Sequence, residues 1–409
     1  MSVLGAKSGP DYASRPEIDL IDGRSYATDL HRACTWMRAN EPVYHDRKND
    51  LYGVTRHADI MAISKNSDVF KNGQGFRPDS DPLPMMISMD RPEHPTRRGL
   101  VNRGFTPRRV AAYEDRIREV CGQIIDRVAE RGECDFVRDI AAPLPLIVIG
   151  DMLAVDEAHY DDLLRWSDDL MAALGSSDPA KIEAQARAAL EYGEYLKGVV
   201  ADRSSKPPGD DLMSILVHAE VDGERLDEAS IHMESLLILI GGDETTRHVI
   251  SGGMQQLLLH PDQLQRLSAD PSLIPTAVEE MLRWVTPIQN MMRTVASDID
   301  VGGHTFRQGD RVLLLYPSGN RDEDVFEDPF RFDVARNPNP HIAFGGYGAH
   351  FCLGNALARL ELRVMFEELL RRIPDMELVD GGTEPIRPAN FVVGLEAMPV
   401  RFSPVAVEG

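Results

Sequence analysis

Residues Phe344 to Gly354 read FGGYGAHFCLG and run straight into NALARLELRVMFEELL, a stretch of helical periodicity. Cys352 stands there among glycines at 345, 346, 348 and 354. Glycine can turn through positive φ and lets the backbone approach a flat partner more closely than side chains allow. The predicted helix begins just past the sulfur, where free N–H groups and the positive end of the dipole favour an anionic thiolate. A lone cysteine is ordinarily a small buried hydrophobe. The alternative here is a thiolate offered to a metal, and an axial haem sulfur needs both features.

Working outward, Ile238 to His248 read ILIGGDETTRH within a long apolar helical pattern. Gly241 and Gly242 each cost such a helix about 1 kcal/mol relative to alanine, so their presence asks for a reason, and close approach to a flat ligand is one. Glu244, Thr245 and Thr246 set an acid and two hydroxyls beside that approach. A threonine hydroxyl there can bond the carbonyl four residues back and loosen the helix into a turn that holds water. In EEMLRW, Glu280 and Arg283 stand at i and i+3, by itself a common solvated pair.

The cysteine loop resembles the signature of the cytochrome P450 family, Phe-x-x-Gly-x-His/Arg-x-Cys-x-Gly. Gly348, His350, Cys352 and Gly354 stand at matching positions, while Phe344 lies one residue further from the cysteine than in the commonest pattern, so the loop carries an extra glycine. GGDETT resembles the family's Ala/Gly-Gly-x-Asp/Glu-Thr-Thr segment, EEMLR its Glu-x-x-Arg, and HPTRR its His-x-x-x-Arg. The resemblance implies a mainly α fold with small β-sheets, the α-rich triangular cytochrome P450 fold. It implies haem b (iron protoporphyrin IX) held by Cys352, with Gly241, Gly345 and Gly348 close to the ring. It makes Glu244 and Thr245 the acid and alcohol of proton delivery, and Glu280 and Arg283 a structural brace. Haem carries two propionates, and His94, Arg98, Arg293 and His350 are the candidate partners, arginine best because its planar fork grips a carboxylate with two bonds.

The rest of the chain agrees with such a protein. No Ser/Gly-rich linker divides its 409 residues, so one catalytic domain over 1–409 is expected. The apolar runs, LLILI and VLLL, are too short to span a bilayer and the first twenty residues contain no apolar core of a signal peptide, so a soluble cytoplasmic protein without an integral membrane segment is expected. The four cysteines lack paired metal spacing. A net charge of −22 argues against nucleic acid as a partner. Against it, Arg97, Arg98, Arg103, Arg108, Arg109, Arg359 and Arg363 read either as solvated helix faces or as a docking patch for an acidic electron donor. There is no fused flavin or iron–sulfur segment, so electrons are expected from a separate ferredoxin and ferredoxin reductase.

Periodicity predicts helices over 26–40, 56–70, 107–131, 138–154, 156–175, 179–204, 210–219, 227–260, 262–269, 273–286 and 353–371. A hairpin is predicted around Lys48 to Asp50, paired strands in IDVGGHTFRQGDRVLLLY, and a last strand pair within 374–403. Residues 71–90 read as a long irregular loop, which in a compact domain is more often functional than structural.

Segments outside the motifs, among them WMRANEPV, LPMMISMD, ECDFVRDIAAPLPLIVIGDML and RPANFVVGLEAMPV, resemble actinobacterial members of the family that oxidise the terminal methyl of the cholesterol or cholestenone side chain. Such a substrate needs an apolar tunnel, for which Phe76, Met86, Ile87, Leu237, Ile238, Val285, Ile288 and Val392 are candidate walls. Three readings stay open: a steroid side-chain hydroxylase using O2, the same chemistry on a methyl-branched fatty acid or polyketide, and a haem-thiolate sensor without turnover.

Overall fold

The computed structural model describes residues 15–27, 30–172, 178–221, 223–379, 381 and 386–406. Its axis is the helix Glu228–Leu259, started by the Asp227 carboxylate, which accepts the Ser230 N–H at 2.8 Å. This central helix is buried along most of its length and carries buried polar residues such as Glu234, Glu244 and Arg247 among its apolar ones. The helices Pro143–Met152, Ile274–Val285 and Asn355–Arg372 pack against it. The second of these stops at Thr286, whose φ of 43° ends the helix while its Oγ1 donates to the Arg283 carbonyl at 2.7 Å. Pro287 then prevents continuation.

Beside the helices lies a five-stranded sheet in the order Val43–Asp46, Leu51–Val54, Arg311–Leu315, Asn290–Val295, Phe70–Lys71. Val43–Asp46 and Leu51–Val54 are the predicted hairpin, and Arg311–Leu315 joins it in parallel, pairing Leu313 with Gly53. Ile299–Val301 and His304–Phe306 pair on their own across Gly302 and Gly303, both at positive φ. The fold is thus mainly α with small β-sheets, as expected.

The structure differs from the sequence reading in places that shape the site. Within the 71–90 loop, Met86–Ser88 form one 3₁₀ turn, and a helix that periodicity did not reveal follows at Glu93–Val101. Pro92 and Pro95 disguise it; proline is tolerated in a first helical turn, where its missing N–H has no partner anyway. Arg293, beyond the 273–286 helix, lies within a strand that was not predicted, Asn290–Val295, opposite Val312. The late strand pair, Glu377–Leu378 with Pro399–Arg401, gains Glu133–Asp135 as an unforeseen third strand. The end of the predicted 156–175 helix, the 28–29 part of 26–40, and 380 and 382–385 of the 374–403 segment lie outside the described residues.

Candidate functional site

One apolar cavity is enclosed by the 72–87 loop, the helix Glu93–Val101, the middle of the central helix, the 287–293 stretch, the cysteine loop and the turn at Phe391 and Val392. Cys352 lines it, three residues before the start of the Asn355–Arg372 helix. The Cys352 N–H donates to the Phe344 carbonyl at 3.0 Å, closing the loop, and Asn355 Nδ2 donates to the Cys352 carbonyl at 2.8 Å. Burial pushes the thiol pKa up, opposed by the N–H groups of Gly354 and Asn355 and by the charges of Arg98 and Arg359. The helix end therefore helps a thiolate but does not by itself produce one. A cation bound at the sulfur does, because coordination deprotonates a thiol.

The loop's glycines have two different jobs. Gly345, at φ 90°, would meet nothing nearer than the Tyr316 hydroxyl at 3.9 Å if it carried a Cβ, so its backbone lies open to the cavity. Gly348 corrects the expectation of closeness to a flat cofactor. It is absent from the cavity wall, and a Cβ there would sit 1.7 Å from the Ser64 carbonyl oxygen, so it is glycine to let the loop lie on the end of the helix His57–Lys65. Gly346 likewise presses on Ser64. On the central helix Gly241 has open space and lines the cavity, whereas Gly242 makes room for Ile149 on the helix Pro143–Met152.

At one side of the cavity four basic groups converge. His94 and Arg98, four apart, share one face of their helix, and both reach the cavity with Arg293 and His350. The rings of His94 and His350 lie 4.0 Å apart, and His94 Nε2 is buried without a partner among the described residues. Arg98 donates to the Phe351 carbonyl at 2.5 Å, and Arg293 to the Met292 carbonyl at 2.8 Å and to the Tyr316 hydroxyl. Neither arginine pairs with a carboxylate among the described residues. Burial, then the charges of Arg293, His94 and Arg98, drive the His350 pKa down to about 2. A buried cationic cluster with no counter-charge is costly unless an anion completes it. Two carboxylates, with a flat apolar body reaching from them to a cysteine sulfur, match this donor set, and haem has those parts.

On the opposite wall Thr245 Oγ1 donates to the Gly241 carbonyl at 2.8 Å, the predicted bond, yet the helix stays regular from Glu228 to Leu259. Thr245 and Thr246 line the cavity; Glu244 does not. Its carboxylate is fully buried behind the wall, gripped by Arg247 and by Arg387 Nη1 at 2.8 and 3.1 Å. Arg387 is a quarter exposed, so the acid communicates with solvent through it rather than with the cavity directly.

Phe76, Met86, Ile87, Leu237, Ile238, Ile288 and Val392 all line the cavity. Val285 does not: as the last residue of Ile274–Val285 it packs in the main core. Glu280 and Arg283 lie away from the cavity with neither side chain exposed, joined by two bonds of 2.8 Å, and Arg283 also donates to the Asn320 and Pro329 carbonyls. Sequence reasoning missed Tyr316 and Glu361. Burial raises Glu361 to about 8 beside its bond with Thr246; its place about two turns into the cysteine helix, facing inward, was the available signal. Most of the suspected docking arginines are spent inside the chain. Arg97 faces Glu234, Arg109 holds Asp210, Arg359 holds Glu279, and Arg363 holds Glu114 and Glu367.

The family model described as "Cytochrome P450" matches residues 169–397. The chain is 52% identical to a steroid C26-monooxygenase of Mycolicibacterium smegmatis, over 96% of this chain and 98% of that one. It is 38% identical to a methyl-branched lipid omega-hydroxylase of Mycobacterium bovis, over 87% and 85%. Among solved structures it resembles a Mycobacterium marinum cytochrome P450 in complex with pseudoionone, with a TM-score of 0.86 and 36% identity over 95% of this chain and all of that one. A Bacillus megaterium relative in complex with testosterone gives a TM-score of 0.83 at 30% identity, over 91% and 99%.

Proposed function

Because this chain belongs to the cytochrome P450 family and is a monooxygenase of that family, we propose that it hydroxylates the terminal methyl of a steroid side chain, as in cholesterol or cholest-4-en-3-one. The observation that carries the substrate is the 52% identity, over nearly the whole of both chains, to a protein named steroid C26-monooxygenase. An apolar cavity walled by Phe76, Met86, Ile87, Leu237 and Ile238 supports it. A sterol offers few polar atoms, so shape and apolar contact must do most of the selecting.

The cofactor in this reading is haem b, with Cys352 as its thiolate ligand and Arg98, Arg293, His94 and His350 around its propionates. When bound, it supplies the iron chemistry that places one oxygen atom of O2 into a C–H bond. The chain aims and protonates. Gly241 leaves the space in which substrate and O2 meet, and the apolar walls keep out bulk water. Thr245 Oγ1 holds a proton at that place, while Glu244, ion-paired behind the wall with Arg247 and Arg387, would replace it only as a carboxyl released from those arginines. Glu280 and Arg283 brace the fold. The whole chain acts as one cytoplasmic catalytic domain, drawing electrons from a ferredoxin and its reductase.

The test is turnover of the purified holoenzyme with ferredoxin, reductase, NAD(P)H and cholest-4-en-3-one. A substrate-induced spin-state change and a terminally hydroxylated product are expected. A second reading, a methyl-branched lipid as substrate, has the 38% identical relative behind it, and that lipid alone being turned over would replace the steroid.

A further inference from the structure

The 72–87 loop is fastened at its neck by Asp90, whose carboxylate accepts the N–H groups of Asn72 and Gly73 at 3.0 and 2.8 Å. Asn72 Nδ2 returns a bond to the Ile87 carbonyl at 3.0 Å. Its far side is fastened differently. Glu234, on the central helix one turn before Leu237 and Ile238, accepts the Met86 N–H on Oε1 at 2.9 Å. Glu234 is fully buried, its Oε2 has no partner among the described residues, and Arg97 Nη1 stands 3.6 Å away, beyond hydrogen-bond reach and itself without a partner there. A carboxylate taken out of water for one backbone bond and a single loose ion pair at 3.6 Å is expensive. Burial pushes its pKa up to about 7. No residue of the proposed proton route touches it, so the oxygen reaction does not account for it.

What it does touch is the cavity wall. Met86 and Ile87 on the loop and Leu237 and Ile238 on the helix line the same cavity, and this bond ties the two walls together. We propose that Glu234 is a positioning residue that pins the Met86–Ile87 turn to the central helix and thereby sets the width, and so the substrate selectivity, of the cavity. Met86 N–H is the fixed point, and the flexible Met86 side chain adapts around it. The substrate side of this proposal rests on the steroid reading; the pin itself does not.

The experiment compares wild-type holoenzyme with Glu234→Gln, which keeps an oxygen acceptor, and Glu234→Leu, which does not. Amide hydrogen exchange over residues 85–88 reads the pin without any ligand. Slow exchange is expected in the wild type and the Gln variant, and exchange at least about tenfold faster in the Leu variant. Titration with cholest-4-en-3-one should weaken about tenfold in the Leu variant and return to within about twofold in the Gln variant, while imidazole, which asks nothing of that wall, binds all three alike. Wild-type exchange over 85–88 as fast as over the exposed stretch near Leu83 overturns the pin even if no variant folds. Equal losses in the Gln and Leu variants, or parallel losses for both probes, overturn it as well. A wild type that ignores cholest-4-en-3-one sinks the steroid reading, and the exchange data still judge Glu234.

Discussion

Thr245 is the side chain on which the chemistry is most exposed to test. In the proposed reaction its hydroxyl is the proton donor facing the cavity, and its bond to Gly241 shapes only one turn of a regular helix. Thr245→Ala should therefore leave cholest-4-en-3-one affinity unchanged and lower product formed per NAD(P)H consumed, with the rate of hydroxylation falling about 10²-fold. Product and NAD(P)H measured in the same reaction check this. A second prediction separates two glycines that look alike in sequence. Gly241→Ala adds a methyl group to open cavity and should fold normally with altered substrate affinity. Gly348→Ala drives a methyl group into the Ser64 backbone and should cost about 1 to 3 kcal/mol or more in denaturant unfolding. The glycine pattern made both positions legible as special. Which glycine faced the cavity and which faced a neighbouring helix was not legible, because that depends on Ser64, nearly three hundred residues away in the chain.

At the scale of elements, the cysteine helix is braced to its neighbour by Glu279, which takes bonds of 2.6 and 2.9 Å from Arg359 and one of 2.9 Å from His341. Arg359 in turn lies over the Phe344 ring at the start of the cysteine loop. Against the burial that would raise it, those bonds pull the Glu279 carboxyl down to about 2. Its folded pKa is depressed, so its contribution is present above the ordinary carboxylate pKa and is lost as pH falls toward 2. The wild type should lose stability through that window more steeply than Glu279→Gln, which has no such charge to neutralise; unfolding followed at pH 5, 4 and 3 checks it. Long helices such as Glu228–Leu259 were readable from their period. The helix Glu93–Val101 was not, since two prolines broke its pattern, and it carries two of the four propionate candidates. Those were found by spacing from a family motif, and the structure supplied the helix that puts both on one face.

Across the whole molecule, the main core runs from Met85 to Phe402 and takes in the central helix, the cysteine helix and the late strands. Among the described residues the cysteine helix and the central helix share this one core. Unfolding of the holoenzyme in urea should thus follow one transition, with far-ultraviolet circular dichroism and haem absorbance coinciding; a haem signal lost well before the helices would contradict that. The strong negative charge was legible from composition, but the fate of the arginines was not. Arg359 and Arg363 are consumed in bracing the cysteine helix, which leaves less free positive charge for an acidic donor than a count along the chain implied. Everything in the account turns on one bond, from the Cys352 sulfur to iron. The direct measurement is the spectrum of the reduced, CO-bound protein in wild type and in Cys352→Ser. The account predicts the thiolate band in the first and its loss in the second, whereas a variant that folds, binds haem and keeps the band would contradict it.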